Sequence, residues 1–164
     1  MNYTVEQLNE FLGKASVETY AGDGIETKTQ RPGFTELEYN AGDFAYRDSY
    51  TGFLTSAGQE VIWYKGEPIW TQQYSGGMEP KYQNDEAFAH ETFSFLKKAL
   101  SQGKKKATFQ PRGSREFKDG NWEYYCDWTG DITNFEGKEK IVHKNEPVFY
   151  HIFSGGILKH RAQD

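Results

Sequence analysis

The sequence predicts an α+β fold: a tandem duplication of a helix plus antiparallel β-meander unit, folded as one pseudo-two-fold domain over residues 1–164. Two observations predict it. The segment Gly42–Gly77 aligns with Gly120–Gly156 once Glu136 is set aside as a single insertion. Each segment also follows an apolar stripe at helical spacing and contains alternating strands broken by a tight-turn pair. In the alignment Gly42, Tyr46, Thr51, Gly52 and Thr55 meet Gly120, Tyr124, Thr129, Gly130 and Thr133. Beyond the insertion, Gly58, Glu60, Ile62, Lys65, Glu67 and Pro68 meet Gly137, Glu139, Ile141, Lys144, Glu146 and Pro147, and Ser75-Gly76-Gly77 meets Ser154-Gly155-Gly156. The two repeats span about 1–78 and 84–158.

The first helix opens at Thr4-Val5-Glu6-Gln7, a capping box in which the Thr hydroxyl accepts from the Gln7 amide and the Gln side chain reaches back. Val5, Leu8, Phe11, Leu12 and Ala15 then share a face. In the second repeat Asn84 or Asp85 caps a helix with the stripe Phe88, Phe95, Leu96 and Ala99. Over Asp43–Tyr50 the residues Phe44, Tyr46, Asp48 and Tyr50 lie on one strand face, and Trp122, Tyr124, Cys126 and Trp128 match them. A hairpin follows: Gln59–Tyr64 runs up, Lys65-Gly66 turns and Pro68–Tyr74 runs back, with Lys144-Asn145 turning its copy. A further strand is expected at Glu36–Tyr39, matched by Arg115–Phe117.

Aromatic residues make up 16% of the chain against a hydrophobic total of 36%, so the core must be built largely of rings. A net charge of −5 argues against a nucleic-acid partner, and no apolar run is long enough to span a bilayer. The N-terminus lacks the pattern of a secretory signal, and the single Cys126 cannot form an internal disulfide, so a cytoplasmic location is expected. The histidines His90, His143, His151 and His160 lack metal-site spacing and read as structural or exposed; Cys126 reads as an inert buried thiol. Lys104-Lys105-Lys106 reads as a solvated loop end. No metal, cofactor or catalytic residue is assigned.

The acids on ring-bearing faces carry the functional expectation. Asp48 lies between Tyr46 and Tyr50; Glu60 and its copy Glu139 share faces with Ile62 and Tyr64, and with Ile141 and His143. A carboxylate among rings loses hydration, so it must be paired, hydrogen-bonded or protonated. Two readings stand open. The acids accept bonds from Tyr hydroxyls, Arg47 or backbone amides, or they line a pocket with Tyr46, Tyr50, Tyr64, Trp70 and Tyr74 that takes a cationic or planar ligand. Trp63, Tyr64, Tyr125 and Tyr150 lack aromatic counterparts in the other repeat, which marks them as further places to seek function.

Arg31-Pro32-Gly33, Leu37-Glu38-Tyr39, Gly42-Asp43-Phe44, Tyr46-Arg47-Asp48-Ser49-Tyr50, Gly58-Gln59-Glu60, Pro68-Ile69-Trp70, Tyr74 and Phe135-Glu136-Gly137-Lys138-Glu139 together resemble a bacterial domain-of-unknown-function family. Its members occur alone or behind a helix-turn-helix domain of the XRE repressor type. The resemblance implies a sensing half standing alone, with no DNA-reading module. By analogy of architecture with effector-binding domains of drug-sensing regulators, Glu60 would receive a cationic ligand. The function expected is a non-enzymatic, sensor-like small-molecule binding domain using Asp48, Glu60 and Glu139 with the rings named above. One alternative is a protein-interaction module, such as an antagonist of a toxin or defence factor. Another is an enzyme using Asp48 and Glu60 as acid and base.

Overall fold

A computed structural model describes residues 3–102 and 108–160; Lys104-Lys105-Lys106 lies outside them. The fold is α+β, with two helices and an eight-stranded antiparallel sheet in a single domain. Helix α1 (Val5–Glu18) precedes strands β1 (Thr35–Ala41), β2 (Phe44–Gly52), β3 (Thr55–Tyr64) and β4 (Glu67–Met78). Helix α2 (Glu86–Ser101) precedes β5 (Glu116–Asp119), β6 (Trp122–Asp131), β7 (Asn134–His143) and β8 (Glu146–Ile157). The strand order is β1-β2-β3-β4-β8-β7-β6-β5, so it reads identically outward from the β4–β8 seam. Among the described residues no helix is long and apolar enough to cross a membrane.

Local chemistry accounts for the elements. Thr4 closes the expected capping box, its amide donating to Gln7 Oε1 (2.8 Å) and its Oγ1 accepting from the Gln7 amide (3.2 Å). Asp85, rather than Asn84, caps α2 by accepting from the Phe88 amide at 2.9 Å. The stripe of α1 is buried at Leu8, Phe11, Leu12 and Ala15, whereas Val5 sits at its solvent edge. Lys65-Gly66 and Lys144-Asn145 both turn with φ between 50° and 86°, the left-handed pair that matches the twist of a two-residue hairpin. Register shifts follow Ile62 in β3 and Ile141 in β7, next to the prolines that open β4 and β8.

Several strands run longer than alternation suggests. β4 continues past Tyr74 through Ser75-Gly76-Gly77 to Met78, because these residues pair with β8 as well as β3. Gly52 pairs with Ser56 around Phe53-Leu54-Thr55, and Gly130 pairs with Phe135 around Asp131-Ile132-Thr133-Asn134. The extra residue of the second half therefore lies in this turn and not at Glu136, and Thr55 corresponds in register to Asn134.

Both helices pack on one face of the sheet through rings. Phe11 stacks on Phe44 at 5.0 Å and meets Tyr39; Phe95 stacks on Phe117 and Trp122 at 5.6 and 5.5 Å. Between these ring clusters the central strands carry Asp48, Glu60, Gln72, Glu139 and His151, all buried. A band of polar groups thus crosses the core under the helices.

Candidate functional site

Strand register assembles the band. Asp48, Glu60 and Gln72 are successive partners on β2, β3 and β4, and Gly155 of β8 continues the row. Cys126, Glu139 and His151 are successive partners on β6, β7 and β8, with Gly76 of β4 and then Ser56 of β3 beyond them. Antiparallel partners point to the same face, so each row projects toward the helices as one line of side chains.

Arg112, from the connection between α2 and β5, ties the rows together. Its Nη1 donates to Glu60 Oε1 at 3.1 Å and its Nε to Glu139 Oε1 at 3.0 Å. The guanidinium lies 4.5 Å from the centre of the Tyr74 ring. Gly113 lets this segment pass close to the core: an added Cβ would press on Tyr124 Cε1 at 2.8 Å, and the Gly113 amide donates to the Tyr124 hydroxyl at 3.0 Å. Gln72 Nε2 also donates to Glu60 Oε1, at 3.1 Å. Glu139 accepts from the Tyr124 hydroxyl at 2.7 Å and lies 3.1 Å from His151 Nδ1. His151 Nε2 is in turn 3.2 Å from Ser56 Oγ.

Glu139 and Asp48 end in different states. Burial would raise Glu139, but Arg112, His151 and Tyr124 outweigh it and hold its carboxyl down at about 2. Burial would lower Arg112, yet Glu139 and Glu60 raise it, so it stays charged. Asp48 accepts one hydrogen bond, from the Tyr74 hydroxyl at 2.9 Å, and among the described residues forms no salt bridge. Burial, and then the charge of Glu60, push it up to about 8, so it holds its proton at neutral pH. Burial lowers His151 against the pull of Glu139, which keeps the imidazole neutral.

Asp48, Arg112 and His151 face a cavity of about 210 Å³ between the helices and the sheet. Asp48, Glu60, Ser56, Arg112 and His151 supply its polar wall. Tyr20, Tyr46, Tyr50, Tyr74, Phe93 and Phe149 supply rings, and His90 and Lys97 of α2 lie at its edge. Lys97 pairs with Asp23 and lies 5.3 Å over the Tyr20 ring.

Of the residues singled out from sequence, Asp48, Glu60, Tyr46, Tyr50 and Tyr74 come together here. Glu139 lies behind them as the second partner of Arg112. Trp70 does not line the cavity: it is fully buried, donates to the Ile132 carbonyl at 3.1 Å and stacks on Phe135. Tyr64 is also elsewhere, against Tyr3 and Phe44 at the end of the sheet, because it stands four residues along β3 from Glu60 on the same face. Trp63, Tyr125 and Tyr150 lie outside the cavity as well, and Tyr150 is 44% exposed. Arg47 does not serve the buried acids; it pairs with Glu36 at 3.0 Å and with Glu38. His151 is buried and hydrogen-bonded, the structural and not the exposed of the two expected states. Arg112, His151 and Ser56 escaped sequence reasoning, although the demand that buried Glu60 and Glu139 be paired called for a cation.

Gly58 sets the position of Tyr74. A Cβ at Gly58 would overlap the Tyr74 ring and hydroxyl, so the ring lies flat over the bare backbone. Gly58→Ala is expected to displace Tyr74, to destabilise the fold by about 1–3 kcal/mol and to raise the Asp48 midpoint further as its donor leaves. Thermal denaturation and carboxyl ¹³C titration check the two effects; an unchanged midpoint would show that Tyr74 has kept its place.

A family model described as Domain of unknown function (DUF5680) matches residues 48–158. No curated protein and no solved structure matches the chain.

Proposed function

The chain belongs to the DUF5680 family of domains of unknown function, and we propose that it is a small-molecule binding domain whose cavity takes a cationic, planar ligand. One observation carries the reading. The buried cluster sets two glutamates against one arginine, and the uncharged Asp48 stands beside them facing a ring-lined cavity. A cation entering there gains Glu60, an ionising Asp48 and the faces of tyrosine rings together. Ionised Asp48 has the most to gain, since its own hydrogen bond comes from a neutral hydroxyl.

The same proposal includes the origin of the cavity as a duplicated helix-plus-meander unit folded about a pseudo-two-fold axis. The mirrored strand order, the matching register shifts and the two left-handed Lys turns support it. A sensor-like role, of the kind a regulator's effector domain performs, belongs to this reading too.

Isothermal titration calorimetry with benzyltrimethylammonium and neutral benzyl alcohol tests the proposal. The cation is expected to bind and the alcohol not. Because a cation favours ionised Asp48, affinity rises with pH up to about 8 and binding releases a proton. Asp48→Asn is expected to weaken cation binding by about tenfold or more, which is about 1.4 kcal/mol. Equal binding of the alcohol, or full retention by Asp48→Asn, would remove the cation from the account.

A further inference from the structure

We infer that the cavity also holds a serine nucleophile: Ser56, His151 and Glu139 form a charge-relay line that cleaves a small carboxylic ester. The inference rests on the small-molecule cavity proposed above and goes beyond binding. Its geometry comes from one sheet row. Ser56, Gly76, His151 and Glu139 are successive register partners on β3, β4, β8 and β7. Ser56 and His151 are not on neighbouring strands, and they meet only because β4 carries a glycine between them. A Cβ at Gly76 would press on His151 Cδ2 at 3.0 Å and overlap the Tyr150 carbonyl. The other row has the same pattern with different chemistry. There Gly155 makes room for the Phe135 ring, Gln72 stands where His151 does, and Gln72 donates to Glu60 as His151 faces Glu139. The line able to move a proton is present on one side alone.

The tautomer follows from the partners. Ionised Glu139 can only accept, so Nδ1 of His151 carries the proton and donates to Oε1 at 3.1 Å. In the neutral ring Nε2 is then an acceptor, and the Ser56 hydroxyl 3.2 Å away donates to it. This is the relation a serine nucleophile needs to its base, with Glu139 as the positioning residue. Both Ser56 and His151 line the cavity, and so does a donor for a developing oxyanion, the Arg112 guanidinium.

The step balances within these groups and water. Ser56 Oγ bonds to the ester carbonyl carbon as its proton passes to Nε2. The tetrahedral adduct expels the alcohol, which takes that proton. Water then attacks the acyl-serine with His151 again as base, releasing the carboxylic acid and restoring Ser56. The tyrosine faces and Glu60, with Asp48 able to ionise beside them, favour an ester that bears a cationic group.

The experiment is labelling of the full chain with a neutral alkyl fluorophosphonate, read by intact mass and peptide mapping, beside hydrolysis of acetylthiocholine. The expected result is one phosphonate on Ser56 with loss of fluoride, and thiocholine release that the label abolishes. Ser56→Ala, with wild-type circular dichroism, loses both; Ser56→Cys regains acylation. His151→Gln retains the fold, since Gln72 occupies the matching position, and loses labelling at least a hundredfold. A low-field Nδ1–H proton resonance of His151 is expected in the wild type and absent in Glu139→Gln, a signature that a purely packing role for Glu139 would not produce. An unmodified Ser56, or a label on another residue, overturns the inference. If benzyltrimethylammonium still binds in that case, the binding proposal stands without it; labelling of Ser56 in a chain that ignores the cation separates the two the other way.

Discussion

Replacing Arg112 with methionine is expected to destabilise the protein by about 3–5 kcal/mol, the usual loss when one partner of a buried ion pair is removed. For a chain of this length that corresponds to a fall in Tm of roughly 10 °C. The cause is specific. Arg112 lies 3.1 Å from Glu60 and 3.0 Å from Glu139, and without it both carboxylates stay buried among rings. The contribution of the glutamates to the pH dependence should then change sign. In the wild type Glu139 sits at about 2 in the folded chain, below its ordinary 4.5. It therefore contributes stability that is present above 4.5 and is lost as pH falls toward 2. In Arg112→Met the glutamates hold protons more tightly when folded than unfolded, so stability rises more steeply as pH falls from 7 to 5 than in the wild type, where Asp48 alone supplies that slope. Adding Glu60→Gln and Glu139→Gln to Arg112→Met should recover a large part of the loss. Urea denaturation at pH 5 and pH 7 measures all of this; a single variant with wild-type stability at both would mean that Arg112 does not neutralise the acids.

Asp48→Asn is expected to do the opposite and stabilise the apo protein at neutral pH. Folded Asp48 is pushed up to about 8, whereas the unfolded residue titrates at 3.8. Between those values the unfolded chain releases the proton and the folded chain keeps it, so Asp48 makes stability fall as pH rises from about 4 to about 8. Asparagine removes that slope and can still accept from the Tyr74 hydroxyl. At pH 7.5 the gain should approach about 5 kcal/mol, from the roughly 1.4 kcal/mol carried by each pH unit above the unfolded 3.8. It should vanish near pH 4. Melting curves from pH 4 to pH 8 test it, and a constant difference across that range would show that Asp48 is not held protonated.

Much of the fold was legible because its signals are local. The Thr4 cap, the stripes Leu8-Phe11-Leu12-Ala15 and Phe95-Leu96-Ala99, and the turns Lys65-Gly66 and Lys144-Asn145 depend on neighbours within a few residues, and each forms as expected. The face shared by Tyr46, Asp48 and Tyr50 follows from the two-residue period of a strand. What failed were inferences that took a shared face for a shared site. Tyr64 keeps the parity of Glu60, but it pairs with Phe44 four residues further along β3 and meets Tyr3 and Phe44 instead of the cavity. Trp70 has the right ring and meets the wrong neighbour: its indole is used by the Ile132 carbonyl across the seam.

By itself, then, the sequence determined the two helices, the hairpins, the ring-built core and the placement of Asp48, Glu60 and Glu139 on buried faces. It also required that buried acids be paired, hydrogen-bonded or protonated, and all three outcomes occur: Glu60 and Glu139 pair with Arg112, while Asp48 keeps its proton and accepts from Tyr74. Only the tertiary structure decided which acid took which state. That choice depends on the β4–β8 seam and on a connecting segment that delivers Arg112 to two glutamates far apart in the chain. It depends equally on Gly76, whose missing side chain lets Ser56 reach His151 across an intervening strand. Charge pairing at 3 Å is set by distance in space, and spacing along the sequence carries no record of it.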